Sequence, residues 1–527
     1  MRIAKKSGRA EARAAKLIAG VAAAFLIGLL SAAPAAARDC SEMATAALPA
    51  GKVTSAGLVA AGAFRPPPGY FPPPGIPPFD YKSLPAFCRI QATLAPTTDS
   101  DIKVEVWMPA NGWNGKFVGI GNGVWAGSIS FFELGATLAR GYAVGATDTG
   151  HVGNGLTGDF AVGHPEKLID FGYRSVHEMT MAAKQLVTGF YGEKPKFSLW
   201  NSCSTGGRQG LMEAYRYPDD YNAISAMAPA NPMTMLMTQS IWTGYQALRA
   251  PGAGLSRSKL SALHQAWLAH CDSSDGLTDK LVGRPDACSF DPATVQCKAG
   301  DAPDCLTADQ VQTMQAIYEG VRDSRTGKLA FPGFSPGSEM QAALLMGGPE
   351  PFPVATSYMR SLVFADPKWD FRSFDYGADL DRARQYGQAI LDVPADGLDK
   401  FFARGGKLLL SHGWNDGLIP AGNTVLFYRA LSQHSSSAKA RNQVRLFMVP
   451  GMDHCAGGEG PSSIDTIATI DRWASEGKVP ERIVASRPAG QPPLSRPLCP
   501  YPTFARYRGT GSRDEAESFE CAMPPSS

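Results

Sequence analysis

Residues 197–210, with the sequence FSLWNSCSTGGRQG, decide the fold. An apolar run breaks into small residues around Ser204, and apolar residues then resume with helical spacing from Leu211. This order predicts a strand, a sharp turn and a helix, and a turn of this kind holds a serine hydroxyl clear of the backbone. Ser204 is therefore the candidate nucleophile.

The motif around this serine departs from the usual Gly-x-Ser-x-Gly pattern. Gly206 fills the second glycine position, but Ser202 stands where the first glycine is expected. A serine in a turn of small residues is common, so an ordinary strand-to-helix connection fits this stretch as well as a catalytic turn does. A serine at position 202 is tolerated where the backbone does not need a positive φ.

The N-terminus has the pattern of a secretory signal peptide. Six basic residues precede an apolar run at 17–30, and three alanines at 35–37 form a small-residue cleavage site. The run is too short and wrongly flanked for a membrane span. We therefore predict that 1–37 is removed and that the protein is exported to a periplasm or the extracellular space, with no membrane association afterwards.

Composition limits the class of partner. The chain has 527 residues, of which 44% are hydrophobic, enough for a large core and two or three domains. Removal of 1–37 takes away six basic residues and one acidic residue, which leaves 44 Lys and Arg against 47 Asp and Glu, a net charge of −3. Nothing in this balance indicates a nucleic-acid partner.

Ten cysteines all follow the predicted cleavage site. An even number of cysteines in an exported protein predicts a disulfide framework. A zinc site is the weaker interpretation, because the sequence contains no Cys-x-x-Cys pair and only eight histidines.

Periodicity along the chain predicts an α/β-hydrolase core. Residues 89–94 and 102–107 alternate polar and apolar side chains, as half-buried antiparallel strands do. Residues 116–120 and 142–146 are almost continuously apolar or small, as in strands buried on both faces. An amphipathic helix at 175–190 then leads into the serine turn, which completes the order expected of this fold.

A large insertion interrupts the core. Between 232 and 399 the chain has methionine-rich helical stretches, a cysteine-dense polar stretch and loops rich in Gly and Pro. Core character returns at 407–410 and at 444–449. We predict a core formed by 38–231 and 400–527, with 232–399 inserted as a lid domain.

Two turns supply the partners that a serine nucleophile needs. In hydrolases of this fold an acid and then a histidine follow the serine, each after a core strand. The apolar run at 408–410 leads into a turn that carries Asp416, and the run at 445–449 leads into a turn that carries His454. Each turn alone is more simply a surface feature, but their order and spacing together predict the triad Ser204, Asp416 and His454.

Two cysteines flank the predicted reacting residues. If His454 must reach Ser204, their neighbours Cys455 and Cys203 come close enough for a disulfide, whose Cα atoms lie roughly 4.4–6.8 Å apart. Such a bond would link the serine turn to the histidine loop.

An oxyanion needs backbone N–H donors. The residue after the nucleophile, Thr205, supplies one, and the glycine-rich turn at 119–124 supplies another, for which we select Gly123. A Gly-x-Gly-x-Gly turn also occurs in phosphate-binding loops, but the strand-to-helix context of that motif is missing.

The predicted lid contains an acidic loop at 271–281. Asp272, Asp275 and Asp279 are spaced by three and four residues around a glycine, and hard oxygen ligands in a tight loop suit calcium. Backbone carbonyls of Leu277 and Leu281 would complete the set. The spacing differs from that of an EF-hand, and a solvated acidic loop fits the same pattern.

These residues resemble the tannase and feruloyl esterase family, which includes mono(2-hydroxyethyl) terephthalate hydrolases. The resemblance covers nearly the whole mature chain and rests on Cys203-Ser204, the Asp416 turn and His454-Cys455. It implies calcium in the lid loop, on Asp272, Asp275, Leu277, Asp279 and Leu281. It also implies these disulfides: Cys203 with Cys455, Cys40 with Cys88, Cys271 with Cys288, Cys297 with Cys305, and Cys499 with Cys521.

The implied activity is that of a serine carboxylesterase on esters of aromatic acids such as ferulate or gallate. Trp125, Trp414, Phe352 and Tyr358 are candidates for stacking on an aryl ring, although ordinary packing explains each of them. The nearest alternative is a hydrolase of terephthalate monoesters, which needs a lid cation for the free carboxylate. Candidate cations are Arg257, Arg322, Arg360 and Arg372.

Two other classes remain open. A peptidase with the same triad would cleave amides without rapid hydrolysis of aryl esters, and a non-catalytic binding protein would not react with an organophosphate at Ser204. The sequence leaves the acid, the alcohol and the oligomeric state undetermined.

Overall fold

The structure is a computed structural model that describes residues 38–70, 79–434 and 442–525. The predicted signal peptide, 1–37, lies outside the described residues and stays a prediction. Among the helices of the described ranges, none combines the length and apolar composition needed to cross a membrane.

Sixteen strands occur in the described residues. In chain order they are β1 Ala47–Leu48, β2 Gly51–Val59, β3 Phe87–Leu94, β4 Ile102–Pro109, β5 Lys116–Gly119, β6 Ala143–Thr147, β7 Phe197–Cys203, β8 Ala223–Met227, β9 Val321–Arg322, β10 Leu329–Phe331, β11 Lys407–Gly413, β12 Val444–Val449, β13 Ile483–Ser486, β14 Ser495–Leu498, β15 Phe504–Tyr507 and β16 Phe519–Ala522.

The α-helices lie between and around these strands, together with short 3-10 and π-helical turns. They are α1 Phe131–Leu138, α2 Pro165–Ile169, α3 Ser175–Tyr191, α4 Thr205–Arg216, α5 Met233–Leu248, α6 Arg257–Cys271, α7 Ala308–Glu319, α8 Glu339–Met346, α9 Pro353–Ser357, α10 Ala378–Leu391, α11 Asp399–Ala403, α12 Ala421–His434 and α13 Thr466–Glu476.

Ten strands form one sheet in the order β1-β2-β3-β4-β6-β5-β7-β8-β11-β12. The strands β1 to β4 pair antiparallel, β4 pairs antiparallel with β6, and all later neighbours are parallel. In the parallel half, Leu410 of β11 pairs with Ala226 of β8 and with Leu446 of β12. The carboxyl ends of β7, β11 and β12 therefore lie on one edge of the sheet. The predicted α/β-hydrolase fold is confirmed.

Helices cover both faces of this sheet, as successive side chains of β7 show. Leu199 and Trp200 point to opposite faces because side chains alternate along a strand. Leu199 packs in a hydrophobic cluster with α1 and α13, whereas Trp200 packs in a cluster with α3 and α4. Both residues are buried, which explains the continuous apolar pattern of this strand.

The prediction of a half-buried strand at 102–107 holds at Lys103 and is wrong at Glu105. β4 is buried at every residue from Val104 to Met108, and Lys103 alone among its residues is exposed. Glu105 accepts hydrogen bonds from Arg89 (3.0 Å to Nε) and from Nε1 of Trp107 (2.8 Å). The polar residue at position 105 is therefore a buried carboxylate with hydrogen-bond partners inside the protein, and both faces of β4 are covered.

Residues 232–399, which we call the lid segment, lie between β8 and β11. They include helices α5 to α10 and the short antiparallel pair β9 and β10. Leu260, Leu263 and Met314 belong to a cluster formed by residues of this segment and Leu418. A second cluster joins lid helices to the core residues Trp125 and Phe171.

Five disulfides are present, in the pairing that the family resemblance implies. They join Cys40 to Cys88, Cys203 to Cys455, Cys271 to Cys288, Cys297 to Cys305, and Cys499 to Cys521. The last of these ties β15 and β16 to the residues that follow β14.

Candidate active site

Ser204 is the only residue between the end of β7 and the start of α4, and its backbone has φ 64° and ψ −126°. Such a conformation is unfavourable for a residue with a Cβ and persists only where the surroundings impose it. The Ser204 N–H donates to the carbonyl of Met227 at the end of β8 (3.0 Å), and its carbonyl accepts from Ala230 (3.1 Å). The end of β8 and the residues that follow it thus hold the turn.

The residues beside Ser204 must be small because a larger side chain would collide with neighbouring atoms. A Cβ on Gly207 would lie 2.6 Å from the Met227 carbonyl, and a Cβ on Gly206 would collide with the side chain of Ser202. Ser202 itself lies within β7 and is absent from the residues of positive φ in the described chain. A serine is therefore accommodated at the position where the usual motif has glycine.

Asp416 lies in the turn after β11 and is completely buried. Its Oδ1 accepts the N–H groups of Leu418 and Ile419, both at 2.8 Å. Its Oδ2 lies 2.7 Å from Nδ1 of His454 and 3.0 Å from Nε2 of His412. Burial acts to raise the pKa of Asp416, but the charge of His454 and the two histidine hydrogen bonds outweigh it and hold the pKa well below its usual range.

His454 lies in the loop after β12 with its ring against Asp416. Because the carboxylate can only accept, Nδ1 of His454 carries the proton in the neutral ring, and Nε2 is the nitrogen with the free lone pair. The Cys203–Cys455 disulfide, with Cα atoms 5.9 Å apart, joins the residues beside Ser204 and His454. A ring nitrogen of His454 lies within 4.8 Å of both sulfur atoms. The sulfurs are in a disulfide and are not thiolate ligands for a metal.

The glycine-rich turn after β5 packs against the start of α4. The hydroxyl of Thr205 donates to the carbonyl of Val124 (2.8 Å), and the Asn122 N–H donates to Oε1 of Gln209 (3.0 Å). A Cβ on Gly121 would lie 2.6 Å from the Gly206 Cα, whereas one on Gly123 would meet open space. Gly121, Asn122 and Val124 thus contact the first residues of α4, and Gly123 lies between them in the chain.

Two residues of the site were missed from the sequence. His412 lies within β11, where its Nε2 faces the acceptors Asp416 and Ile419 O (3.1 Å) and its Nδ1 faces the Thr424 hydroxyl (2.7 Å). Gln341 comes from α8, and its Oε1 accepts the His454 N–H (2.9 Å). The position of His412, four residues before Asp416, was a signal that could have identified it. No local sequence pattern identifies Gln341.

The predicted calcium loop follows α6, and its backbone N–H groups donate to the loop's own carboxylates. Asp272 accepts N–H groups of residues 279–281, and Asp275 accepts those of Leu277 (3.0 Å) and Gly283 (2.7 Å). Oδ2 of Asp279 pairs with Arg496 at 2.5 Å. Burial first, and then the charges of the two other carboxylates, raise the pKa of Asp275 to about 6.

A small cavity of about 20 Å³ adjoins this loop and is large enough for one water-sized guest. Asp275, Leu277, Asp279 and Leu281 line it, and the Asp272 carboxylate, which faces backbone N–H groups, does not. Arg496, which is paired with Asp279, also lines the cavity. The half-buried carboxylates of Asp275 and Asp279 are oxygen donors of the kind that a hard cation such as calcium takes.

A second group of side chains that could bind a metal lies where the first half of α3 meets the end of α4 and the residues after it. Nδ1 of His177 is 2.6 Å from Oδ2 of Asp220, and Nζ of Lys184 is 3.9 Å from Oδ1. Burial, followed by the charge of Asp220, raises the pKa of the neighbouring Glu213 well above its usual range. His177 and Asp220 are therefore paired inside the protein, whereas neither carboxylate oxygen of Glu213 has a hydrogen-bond partner among the described residues.

The aromatic candidates are mostly packed into the interior. Trp125, Trp414 and Tyr358 are buried in hydrophobic clusters, and Nε1 of Trp125 donates to the Val354 carbonyl (3.0 Å). Phe352 is half-buried between lid clusters.

Comparison with known proteins agrees with this fold and identifies the class. A sequence profile described as tannase and feruloyl esterase matches residues 88–522. An uncharacterized esterase of Xanthomonas campestris pv. campestris is 33% identical over 95% of this chain and 94% of its own length. A probable feruloyl esterase B-2 of Aspergillus terreus is 31% identical over 83% of this chain and 86% of its own length.

Solved structures give the same result. Feruloyl esterase B from Aspergillus oryzae superimposes with a TM-score of 0.83 at 27% identity and covers 92% of this chain and 99% of its own. Tannin acyl hydrolase from Aspergillus niger shares the fold with a TM-score of 0.75 at 21% identity, covering 92% and 95% of the two chains. The fold and these similarities define a carboxylic ester hydrolase. The chain belongs to the tannase and feruloyl esterase family.

Proposed function

We propose that the protein is an exported serine esterase that hydrolyses esters of phenolic acids, such as ferulate or gallate, with Ser204, His454 and Asp416 as its triad. The observation that carries this proposal is the Asp416–His454 hydrogen bond of 2.7 Å in a loop that a disulfide ties to the Ser204 turn. The relatives are named as esterases and feruloyl esterases, which supports the ester as the substrate class.

The mechanism follows from the proton positions. Nε2 of His454 takes the proton of the Ser204 hydroxyl as Oγ bonds to the ester carbonyl carbon, and the carbonyl oxygen becomes an oxyanion. Collapse of this intermediate breaks the bond to the alkoxy oxygen, and His454 returns the proton to the departing alcohol. Water then attacks the acyl-enzyme by the same path and releases the aromatic acid and free Ser204.

Asp416 keeps the imidazole in the required tautomer and stabilises the imidazolium that forms. Its own low pKa ensures that it stays ionised throughout. The N–H groups of Thr205 and Gly123 would meet the oxyanion, because both lie where the glycine-rich turn packs on the start of α4.

We further propose that the lid segment is a separate domain over this edge of the sheet and that its acidic loop binds calcium as a structural ion. Asp275 and Asp279, which line the cavity, would offer carboxylates, and Leu277 and Leu281 would offer carbonyl oxygens. Asp272 would join them on release of the N–H groups of residues 279–281 that its carboxylate accepts. The ion would supply charge that offsets the buried carboxylates of the loop. It takes no part in the ester chemistry proposed above.

Export is proposed from the N-terminal pattern of 1–37 and from the five disulfides. Disulfides form and persist in oxidising compartments, such as the periplasm or the extracellular space.

A substrate panel tests the proposed activity. Purified mature protein is assayed on methyl ferulate, methyl gallate, mono(2-hydroxyethyl) terephthalate and a p-nitrophenyl acetate control. We expect preference for ferulate or gallate, since two of the four candidate lid cations are already paired, Arg360 with Glu350 (2.8 Å) and Arg372 with Asp370 (3.3 Å). Preference for the terephthalate ester, or activity on the control alone, would contradict the phenolic assignment.

A further inference from the structure

One side-chain oxygen of the lid segment bonds to both loops that carry the proposed acid and base. Oε1 of Gln341 accepts the N–H of Gly417 at 2.9 Å and the N–H of His454 at 2.9 Å. Gly417 directly follows Asp416 in the chain. An amide oxygen has two lone pairs, so a single acceptor can serve both donors at full strength.

The backbone of α8 also lies directly against the acid loop. A Cβ on Gly417 would lie 2.7 Å from the backbone of Gln341 and 2.7 Å from the carbonyl of Ser338, and it would collide with the N–H of Ala342. Position 417 must therefore be glycine for α8 to approach this closely. This close approach of α8 places the side chain of Gln341 within hydrogen-bonding distance of both loops.

A buried ionic network fixes the position of α8 itself. Glu339, two residues before Gln341, accepts from Nδ1 of His264 (2.9 Å), from the Tyr318 hydroxyl (2.9 Å) and from the Gly337 N–H (2.8 Å). The other ring nitrogen of His264 lies 2.6 Å from Glu459 in the loop that follows His454. The start of α8 is thus tied to the histidine loop by a second route.

The two loops also meet directly, through a backbone hydrogen bond from the Asn415 N–H to the Met452 carbonyl (3.0 Å). Gln341 adds a second link between these loops, at Gly417 and His454. The loops leave adjacent parallel strands, β11 and β12, and the Asp416–His454 hydrogen bond of 2.7 Å depends on their separation. Loss of the shared acceptor would leave the amides of Gly417 and His454 without this partner and remove the link that lies nearest the acid and the histidine. Misplacement of reacting groups by about 1 Å can cost about 100-fold in rate.

We infer that Gln341 is a positioning residue: together with the Asn415–Met452 hydrogen bond, it fixes the distance between the acid and histidine loops, and the lid segment so belongs to the catalytic framework. The inference rests on the proposed triad. It gives the lid a role in kcat, separate from any role in substrate binding.

Substitution at position 341 tests the inference through kcat and KM. Gln341→Met keeps the size of the side chain and removes the amide oxygen, so kcat should fall about 10- to 100-fold with KM within about twofold of wild type. Gln341→Glu keeps an acceptor at the same place and should restore kcat to within about fivefold of wild type. Leu344→Met, at an exposed position of the same helix, is the matched control and should leave both constants unchanged.

If Gln341→Met does not fold, Gln341→Asn replaces it, because the shorter side chain cannot reach both amides. Wild-type kcat in the folded Met or Asn variant would overturn the inference, and so would equal losses in the Met and Glu variants. Labelling of Ser204 by an organophosphate is measured in parallel. Absence of labelling in the wild type means that the triad proposal has failed, whereas labelling with wild-type kcat in Gln341→Met means that only the role of Gln341 has failed.

Discussion

Nδ1 of His454 donates to Oδ2 of Asp416 over 2.7 Å, and this carboxylate oxygen is also the one that faces His412. Two backbone N–H groups hold the other oxygen. The buried carboxylate is therefore oriented from four directions, and its pKa stays below the usual range. An imidazole beside such a group has its tautomer and its ring plane decided before a substrate arrives.

Replacement of Asp416 by asparagine should remove activity without removing the fold. The amide would present N–H groups as well as an oxygen to Nδ1 of His454, so the ring would no longer be held with its free lone pair on Nε2. We expect kcat to fall about 10³- to 10⁴-fold, as measured by steady-state ester hydrolysis.

Asp453→Asn is the control for this experiment, since Asp453 is a neighbouring half-buried carboxylate whose pKa is raised to about 6 by partial burial and by the charge of Asp416. It should keep kcat within a few-fold of wild type. Equal losses in the two variants would show a general charge effect and contradict the role of Asp416.

Removal of the Cys203–Cys455 disulfide should affect activity and stability together. The bond closes a separation of 252 residues, and a long loop gives a stabilisation of about 2–5 kcal/mol. The double variant Cys203→Ser with Cys455→Ser should therefore melt at lower temperature and lose at least about 10-fold in kcat at a temperature where it is folded.

The matched control is Cys499→Ser with Cys521→Ser, which opens a disulfide of separation 22 in the C-terminal hairpins. This variant should lower the melting temperature with kcat retained. If both double variants keep wild-type kcat, the first disulfide has no role in alignment of the triad.

Calcium removal should destabilise the protein because the ion binds the folded loop and not the unfolded chain. At a free concentration of 100 times Kd, the stabilisation is about 2.7 kcal/mol. Differential scanning calorimetry with a chelator and then with added calcium should show a fall and a recovery of the melting temperature. Asp275→Asn should abolish this response, and an identical response in that variant would place the ion elsewhere.

The stability of the protein should fall as pH rises through the alkaline range. Burial acts to lower the pKa of His264, but its hydrogen bonds and charge interactions with Glu339 and Glu459 raise it from 6.5 to about 10. A group with a raised pKa in the folded state stabilises fully below its unfolded pKa and loses that contribution as pH approaches its folded pKa. The loss therefore spans pH 6.5 to about 10.

His264→Gln should show a flatter dependence of melting temperature on pH in this window. His270→Gln, at an exposed histidine of the same helix, should follow the wild-type curve. A wild-type slope in His264→Gln would mean that another group is responsible.

The sequence predicts best where a local pattern carries the information. The strand at 197–203, its turn at Ser204 and the amphipathic helix before them follow from apolar spacing and small residues, and the structure has them within a residue or two. The Cys203–Cys455 pair was predictable because it lies beside two residues that must meet.

Contacts that depend on the lid could not be predicted in this way. Gln341 lies 113 residues before His454 in the chain. No pattern in the sequence of α8 indicates that the side-chain amide of Gln341 bridges the acid and histidine loops. His412 was ambiguous for a different reason, because a histidine within a strand is more often satisfied in the core than placed against a catalytic carboxylate. Glu105 of β4 was assigned to solvent because the sequence does not show that Arg89 and Trp107 satisfy its carboxylate.

The most direct test of the account is organophosphate labelling of Ser204 combined with ester hydrolysis by Ser204→Ala. Labelling of the wild type should place one phosphonyl group on Ser204 and abolish hydrolysis of methyl ferulate. Ser204→Ala should take no label and lose at least about 10³-fold in kcat with its melting temperature nearly unchanged. A label on another residue, or activity of Ser204→Ala above a few per cent of wild type, would contradict the proposed triad.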